Sequence, residues 1–298
     1  MKLGIYLLSF NRKQELFKVI SSFYNLINDT VYEAFVLDQC SNDGSREMIK
    51  KNFPLIKLYF INRNLGVAGG RDYLIKKSNS DICVFLDDDS YFKNQDDINK
   101  ISSLFKNSPE TKFSSFKIID LENNLADWPH PRAMKNKSNL SWNCLNYVGC
   151  GHAIRKKAYM KIGGYNITSH FYAEELELTY KMFNFFGSKM GIYRGDIEVI
   201  HLASSKQRIY WSGERIFYRV KNRMSFYLQN FSLFSFFTYV FLIGFIVSDF
   251  ILAIKNKNLN GFIRGLGEIK THPNNRMSLN KSLDFQYKYL KLFFGHEI

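Results

Sequence analysis

The chain has 298 residues and a formal net charge of +14. This length suits an α/β enzyme with one domain and an appendage, and the charge suits an anionic partner: a phosphate-bearing substrate, a membrane surface or nucleic acid. The four cysteines lack the paired spacing of metal ligands, which excludes a cysteine metal site and predicts reduced thiols in the cytoplasm.

Four apolar runs occur in the first 90 residues, and each ends in a polar loop followed by a stretch with helical apolar spacing. The runs cover residues 2–8, 32–37, 56–61 and 82–86. The first predicts an N-terminal strand and not a signal peptide. Strands that alternate with helices predict a mainly parallel sheet with right-handed crossovers. Because ligands bind outside the carboxyl ends of such strands, we expect the four loops to face one crevice.

Three consecutive carboxylates, Asp87, Asp88 and Asp89, follow the run at residues 82–86. Like charges this close repel each other unless a cation or the donors of a ligand neutralise them. Oxygen ligands on a short loop suit a hard divalent cation, Mn²⁺ or Mg²⁺, which keeps open positions for substrate phosphates. The alternative is a solvated acidic turn.

The loops after the second and third runs suit a nucleoside diphosphate. Asp38 can accept a hydrogen bond from a base or a ribose, and Gly66 lets the backbone approach a ligand closely. Arg71 offers a fork of donors to a phosphate or a base. The glycines alone would equally fit a tight loop that enters a helix. The chain has no P-loop motif, and no Gly-x-Gly-x-x-Gly follows the first strand, which argues against a dinucleotide site.

Four motifs in this order resemble the nucleotide-sugar half of a family 2 glycosyltransferase with the GT-A fold, of the type that builds bacterial surface glycans. They are residues 9–12 (SFNR), Asp38 with residues 41–45 (SNDGS), residues 64–71 (NLGVAGGR) and residues 86–89 (LDDD). Residues 163–165 (GGY) and 171–178 (FYAEELEL) are similar to the family's acceptor-side motif, in which an acidic pair supplies the catalytic base. The resemblance spans about residues 1–230.

The resemblance implies a GT-A fold with helices on both sides of the sheet, a donor half at about residues 1–110 and an acceptor half at about 111–230. It places the base at Glu175, with Glu174 as second choice, because the family usually has Glu-Asp at this pair. It also implies that His201 joins Asp89 at the metal. The residues expected to bind the donor are Ser9, Asn11, Arg12, Asp38, Asp43, Gly66, Arg71, Asp87 and Asp88.

The chemistry of the residues agrees with this resemblance. A cation held by Asp89 and His201 would neutralise the leaving diphosphate, and a carboxylate would take the proton of the acceptor hydroxyl. A single in-line attack inverts the anomeric centre, as the resemblance to family 2 also implies. Taken alone, the two glutamates also fit a solvated first turn of a helix, and His201 also fits an ordinary strand end.

Residues 231–254 contain one charged residue, Asp249, and their aromatic side chains fall on every side of a helical wheel. Such a helix must be buried in protein or lipid, and at about 1.5 Å per residue it is long enough to cross a bilayer. Basic residues on both sides, as at Arg223 and Lys255, favour a helix on the membrane face over a span or a core helix. We therefore expect residues 231–298 to be a helical, membrane-associated region.

Two further features suggest acceptor contacts. Arg215, Arg219 and Arg223 recur at four-residue spacing, so they form a helical face that could meet phosphates or remain solvated. The ring of Trp128, in the loop DWPHPR, could stack on a sugar or form part of a rigid surface turn. Trp128, Arg219 and Arg223 are the candidate acceptor-binding residues.

The sequence thus predicts an inverting, metal-dependent glycosyltransferase that moves a sugar from a nucleoside diphosphate to a hydroxyl of a glycan or a lipid-linked acceptor. We expect it to act in surface polysaccharide biosynthesis at the inner, cytoplasmic face of an anionic cell membrane. The alternative is a catalytically inactive, membrane-associated GT-A scaffold protein. The charge also suits nucleic acid, but the chain has no recognition motif, so no nucleic-acid partner is expected.

Overall fold

In the computed structural model, which describes residues 1–169, 171–202, 213–271 and 277–298, helices flank a central sheet. The strands are β1 (Leu3–Ser9), β2 (Glu33–Gln39), β3 (Lys57–Ile61), β4 (Ile82–Leu86), β5 (Ser90–Phe92), β6 (Phe113–Ile119), β7 (Leu125–Asp127), β8 (Ser141–Asn143), β9 (Gly151–Arg155) and β10 (Gly191–His201). The α-helices are α1 (Lys13–Phe23), α2 (Ser45–Asn52), α3 (Gly66–Lys77), α4 (Asp96–Asn107), α5 (Lys156–Lys161), α6 (Glu174–Phe186), α7 (Gly213–Asn230), α8 (Phe236–Lys255), α9 (Leu259–Gly267) and α10 (Leu279–Phe293).

The sheet is mixed in direction. Its strands follow the order β3, β2, β1, β4, β9, β6, β10, β5, with β7 beside β6 and β8 beside β10. Parallel pairs join β3, β2, β1 and β4, whereas β9 runs antiparallel to both β4 and β6. The α/β fold class is confirmed, and the parallel pairs lie among the first four strands and between β6 and β10.

The first strand packs apolar side chains on both faces of the sheet, which is why its sequence is a continuous apolar run. Ile5 belongs to one core cluster together with Val19 of α1. The next residue, Tyr6, faces the opposite layer, where its ring stacks on Phe35 of β2 at a centroid distance of 5.1 Å. Leu74 of α3 belongs to the same cluster as Tyr6, so helices lie on both faces of the sheet, and the strand ends are where a ligand is expected.

Two strand pairings determine where the acidic loop lies. Leu86, the last residue of β4, pairs with Gly151 at the start of β9. Ser90, the first residue of β5, pairs with His201 at the end of β10. The carboxylates at residues 87–89 therefore lie beside the start of β9 and the end of β10, although the sequence separates these elements widely.

The C-terminal helices pack on the sheet domain through a shared core. Phe231 and Phe285 are buried in the same cluster as Tyr180 of α6. Among the described residues, α8 is the one helix that is long and apolar enough to cross a membrane, yet only 17% of its most apolar window is buried. Ile243 on its outer side is 62% exposed. Protein thus covers one side of this helix and leaves an apolar side open.

Candidate functional site

An open cleft of about 780 Å³ lies at the carboxyl ends of the first four strands. From these strand ends it is lined by Ser9, Phe10, Arg12, Gln39, Asn64, Gly66, Val67, Asp87, Asp88 and Asp89. The opposite wall includes Asp127, Tyr172, His201 and the first turn of α7. The prediction that all four strand ends contribute to one crevice is confirmed.

Two cationic side chains hold the acidic loop. Arg12 forms an ion pair with Asp89 and lies 3.8 Å from Asp88. On the other side, His201 Nε2 lies 3.1 Å from Asp89 Oδ1, and His201 Nδ1 lies 2.8 Å from Asp127 Oδ2. Asp89 is therefore held between Arg12 and His201, and the imidazole of His201 is held between two carboxylates.

The electrostatics of this loop favour an added positive charge. Burial raises the pKa of Asp88 to about 8, because a carboxylate loses its hydration there. Burial acts in the same direction on Asp89, but the hydrogen bond from His201 and the charge of Arg12 bring its pKa below the ordinary value. Burial alone would lower the pKa of His201, yet its hydrogen bonds to Asp127 and Asp89 raise it to about 12.

The donor atoms beside the acidic loop fit a divalent cation. A carboxylate oxygen and an imidazole nitrogen are suitable ligands for Mn²⁺, and here Asp89 and His201 would supply them. A bound cation would take the place of the proton on His201 Nε2, because a ligating imidazole is neutral. The ligand atoms of Asp127, Cys150 and His201 also lie within 4.8 Å of one another. Burial raises the pKa of the Cys150 thiol to about 12, and sulfur is a soft ligand that suits Mn²⁺ or Mg²⁺ poorly. Asp127 instead accepts a hydrogen bond from Nδ1 of His201 and so orients the imidazole with Nε2 toward Asp89.

Asn11 and Asp43, both predicted to bind the donor, hold two loops together. Asn11 Oδ1 accepts a hydrogen bond of 2.9 Å from the backbone of Asn42. The Asp43 carboxylate accepts bonds of 2.8 Å and 3.0 Å from the backbone nitrogens of Lys13 and Ser45. Both side chains therefore join the loops that follow β1 and β2, and neither is among the residues that line the first cleft.

Asp38 occupies the end of β2 and is fully buried. Its Oδ1 accepts a bond of 3.0 Å from the backbone of Ser41. Within the described part of the chain, its Oδ2 has no hydrogen-bond partner. Asp38 is not among the residues that line the first cleft, so its contact with a base or a ribose stays a prediction.

Arg71, from α3, connects the acidic loop to a second group of carboxylates. Its Nη2 lies 3.2 Å from Asp87 Oδ1 and donates a bond of 2.8 Å to the carbonyl of Gly149. Its Nη1 lies 4.0 Å from Glu174 Oε1. The side chain is only 3% exposed. Arg71 is thus a buried cation shared by Asp87 and Glu174, and it is not among the residues that line the first cleft.

The predicted acidic pair begins α6. The two residues before it, Tyr172 and Ala173, both have a φ of 71°, in the left-handed region. Glu174 then lies against Arg71, whereas Glu175 lines a second cleft. Burial, together with the charge of Glu175, raises the pKa of Glu174 to about 8. Burial also raises the pKa of Glu175.

The second cleft, of about 370 Å³, adjoins the first, because Asp127 and Tyr172 line both. Its remaining wall is largely aromatic and includes Trp128, Tyr147, Tyr227, Phe245 and Tyr289. Trp128 and Arg223, two of the predicted acceptor-binding residues, line it. The third, Arg219, lies 2.6 Å from Asp249 and donates a hydrogen bond to the hydroxyl of Tyr172.

Sequence reasoning missed two residues that line both clefts. Asp127 lies in the loop that was selected for its tryptophan, and the only available signal was a carboxylate next to that aromatic residue. Its contact with His201 joins residues 74 positions apart, so no local pattern indicates it. Tyr172 lies inside the predicted acceptor-side motif, but its position between the two clefts depends on the left-handed turn, which the motif does not indicate.

Comparisons with known proteins agree with this geometry. The family model of Glycosyl transferase family 2 matches residues 5–163, that is 159 of 298 residues. An uncharacterized protein of Haemophilus influenzae is 29% identical over 178 residues, which cover 54% of this chain and 91% of that protein.

Solved structures share the fold. S. aureus TarS 1–349 in complex with UDP-GlcNAc superposes with a TM-score of 0.61 at 15% identity, covering 90% of this chain and 80% of TarS. The mannosyltransferase PcManGT from Pyrobaculum calidifontis, in complex with GDP-Man and Mn²⁺, has a TM-score of 0.58 at 13% identity, covering 90% and 73%. The chain belongs to glycosyl transferase family 2 and is a glycosyltransferase with the GT-A fold.

Proposed function

We propose that this glycosyltransferase moves a sugar, with inversion, from a nucleoside diphosphate to a hydroxyl of a glycan or lipid-linked acceptor, and that it needs a divalent cation. The observation that carries the proposal is the junction of the two clefts. Asp127 and Tyr172 form a wall common to the cleft with the acidic loop and to the cleft with Glu175. A donor and an acceptor bound in these clefts would meet at that wall.

Binding of the donor rests on the first cleft. Asp38 and Gly66 would contact the nucleoside, and Asp87 and Asp88 the ribose or the sugar. Asp89 and His201 would hold Mn²⁺ or Mg²⁺, which when bound neutralises the charge of the leaving diphosphate. The solved structures with UDP-GlcNAc and with GDP-Man and Mn²⁺ support a nucleotide-sugar donor and a divalent cation.

The proton of the acceptor hydroxyl would go to Glu175, which lines the second cleft. A raised pKa makes this carboxylate a stronger base than an ordinary glutamate. Glu174 is the second candidate, because it lies against Arg71 and is not among the residues that line the second cleft. Trp128 and Arg223 would contact the acceptor. Attack from the second cleft on a sugar held in the first is a single displacement, which inverts the anomeric centre.

We also propose that residues 231–298 attach residues 1–230, the catalytic domain, to the inner face of an anionic membrane, where surface polysaccharides are assembled. The outer side of α8 exposes apolar residues, among them Ile243 at 62% and Val247 at 52%. Apolar area together with a net charge of +14 supplies the two signals that stable peripheral binding requires. The aromatic second cleft includes Phe245 of α8, so a lipid-linked acceptor would lie close to the membrane.

Calorimetry with UDP, dTDP and GDP, with and without Mn²⁺, tests the donor site, and hydrolysis of the matching nucleotide sugars tests the chemistry. We expect at least one nucleoside diphosphate to bind only with the cation, and its sugar to be hydrolysed. Binding without hydrolysis or transfer to any glycan or lipid-linked acceptor would favour the inactive scaffold. Binding of none of the nucleotides would overturn the proposal.

A further inference from the structure

The turn that precedes the acidic pair is strained. Tyr172 and Ala173 both have a φ of 71°. Non-glycine residues rarely adopt this left-handed region of backbone angles. Two consecutive residues keep it only where the surrounding structure holds them. This turn determines the direction in which α6 starts, and hence the position of the Glu175 carboxylate. Whatever holds the turn therefore also positions Glu175.

Side chains of α7 hold this turn. The side-chain nitrogen of Asn222 donates to the carbonyl oxygens of Phe171 and Tyr172, at 2.7 Å and 3.3 Å. The guanidinium of Arg219 donates to the hydroxyl of Tyr172 and lies 5.0 Å from the centre of its ring. The backbone and the ring of the strained turn are thus each fixed by a different residue of α7.

Arg219 is in turn held by α8. Asp249 Oδ1 lies 2.6 Å from Arg219 Nε and also forms an ion pair with Arg223. Asp249 is fully buried and is the only charged residue in the run at 231–254. An apolar residue would pack this helix at least as well, because desolvation of a buried carboxylate offsets much of what its ion pairs gain. Stability alone does not explain a carboxylate here.

We propose that Asp249 is a positioning residue for the transferase reaction. It fixes Arg219, Arg219 fixes the ring of Tyr172, and the strained turn then holds Glu175 at the junction of the two clefts. The inference rests on the proposed role of Glu175 as the base. It makes α8 part of the active-site scaffold, in addition to any contact of its outer side with lipid.

The test uses the full chain with the substitution Asp249→Asn, which keeps the shape and removes the charge. Asp284→Asn on α10 is the matched control, because Asp284 is an exposed acid paired only with its helix neighbour Lys288 within the described residues. Turnover is measured as hydrolysis of UDP-GlcNAc or GDP-mannose, whichever the protein uses. The amount of competent protein is counted by titration with the corresponding nucleoside diphosphate and Mn²⁺.

We expect kcat per competent molecule to fall about tenfold or more in Asp249→Asn, because a small displacement of a reacting group is costly. Affinity for the nucleoside diphosphate should change far less, since Asp38, Gly66 and Asp89 lie on other elements. A residue that only stabilises the fold would lower the melting temperature and the competent fraction and leave kcat per competent molecule unchanged. That last result would overturn the inference.

A second substitution, Tyr172→Phe, removes one hydroxyl and keeps the ring, so it tests the same chain of contacts if Asp249→Asn does not fold. It should lower kcat, and the double variant should lose little more than the worse single variant, because residues acting in series are not additive. Normal kcat in folded Tyr172→Phe, or fully additive losses, would contradict the inference. Glu175→Gln separates the two proposals: an active Glu175→Gln overturns the proposed base, whereas an inactive Glu175→Gln beside a normal Asp249→Asn overturns the positioning role alone.

Discussion

The Nη2 atom of Arg71 donates a hydrogen bond of 2.8 Å to the carbonyl oxygen of Gly149. This bond joins α3, which begins in a donor loop, to the segment that leads into β9. The same guanidinium lies 3.2 Å from Asp87 and 4.0 Å from Glu174. One buried cation thus lies between the acidic loop and the acidic pair, and under the proposed function the alignment of donor and acceptor would depend on it.

Gly149→Ala should disturb this alignment. A Cβ at this position would lie 2.8 Å from Glu175 Oε1 and 2.9 Å from Arg71 Nη2, so both side chains, or the backbone at residue 149, must move. We expect kcat to fall about tenfold or more while the affinity for nucleoside diphosphate with Mn²⁺ stays close to normal. Gly267→Ala is the control, because nothing lies within 4 Å of its added Cβ among the described residues. Equal kcat values for the two variants would contradict the alignment role.

Asp89→Ala should abolish the Mn²⁺-dependent part of nucleotide binding. The substitution removes a ligand atom from the acidic loop, while the apolar strand β4 and the rest of the core remain. Calorimetry with and without Mn²⁺ gives the readout, and circular dichroism checks the fold. Asp29→Ala, on an exposed turn, is the matched control. Unchanged Mn²⁺-dependent affinity in Asp89→Ala would remove Asp89 from the cation site.

Glu175→Gln should lower turnover by about 10² or more, because an amide keeps the shape of the side chain but does not take a proton. The affinity for the donor should barely change, since Glu175 lines the second cleft. Glu174→Gln is compared in parallel. If Glu174→Gln is inactive and Glu175→Gln keeps near-normal turnover, the two roles are exchanged.

The acid limb of the pH profile of kcat/KM should lie at a higher pH than an ordinary glutamate would give. A general base acts in its ionised form. Because burial raises the pKa of Glu175, kcat/KM should still be rising with pH above about 4.3, the ordinary pKa of a glutamate. Because the two adjacent carboxylates interact, such a limb belongs to the pair, and its loss in Glu175→Gln or in Glu174→Gln assigns it to one residue. The profile is measured from pH 5 to 9 with Mn²⁺ saturating throughout. A profile flat down to pH 5 would show that neither carboxylate acts as a base with a raised pKa.

Substitution of the outer side of α8 should release the protein from membranes. Ile243→Glu combined with Val247→Glu places two charges on a side that is exposed in the free protein, so donor hydrolysis should be unaffected. Sedimentation with anionic vesicles should fall sharply, because the change removes apolar contact and adds repulsion. Leu121→Glu, at a site 64% exposed in the sheet domain, is the control.

The wild-type chain should also be released from these vesicles in part by high salt. Failure of the wild-type chain to bind anionic vesicles would show that α8 packs against protein and not against lipid. Retention through both high salt and alkaline carbonate would indicate a true span.

Local patterns predicted the donor half well. The runs at β1 to β4 and the start of α6 were visible in the sequence, because buried strands and helix starts have local signatures. The meeting of four loops in one cleft followed from parallel topology alone. The pairing of the strands after β5 was not predictable. β9 and β10 pair with strands that are far away in the sequence, and hydrophobic periodicity does not indicate which strand is the partner.

Contacts between charged side chains that are distant in the sequence were not predictable either. The spacing of Arg219 and Arg223 indicated a helical face, and Asp249 was visible as an isolated charge. Their ion pairs form between two helices that cross in space, and a single sequence contains no signal for such a crossing. The contact between Asp127 and His201 was missed for the same reason.

The pairing of Ser90 with His201 has a consequence for biosynthesis. Asp89 and His201 are 112 positions apart, and a ribosome that adds roughly 5 to 20 residues per second needs about 6 to 22 seconds to cover this distance. During that interval the emerging polypeptide carries its acidic loop without the imidazole partner. Translation of the first four loops is therefore complete well before the contact between Asp89 and His201 can form, and under the proposed function a nascent chain would bind a nucleotide sugar with its cation only after β10 has been made.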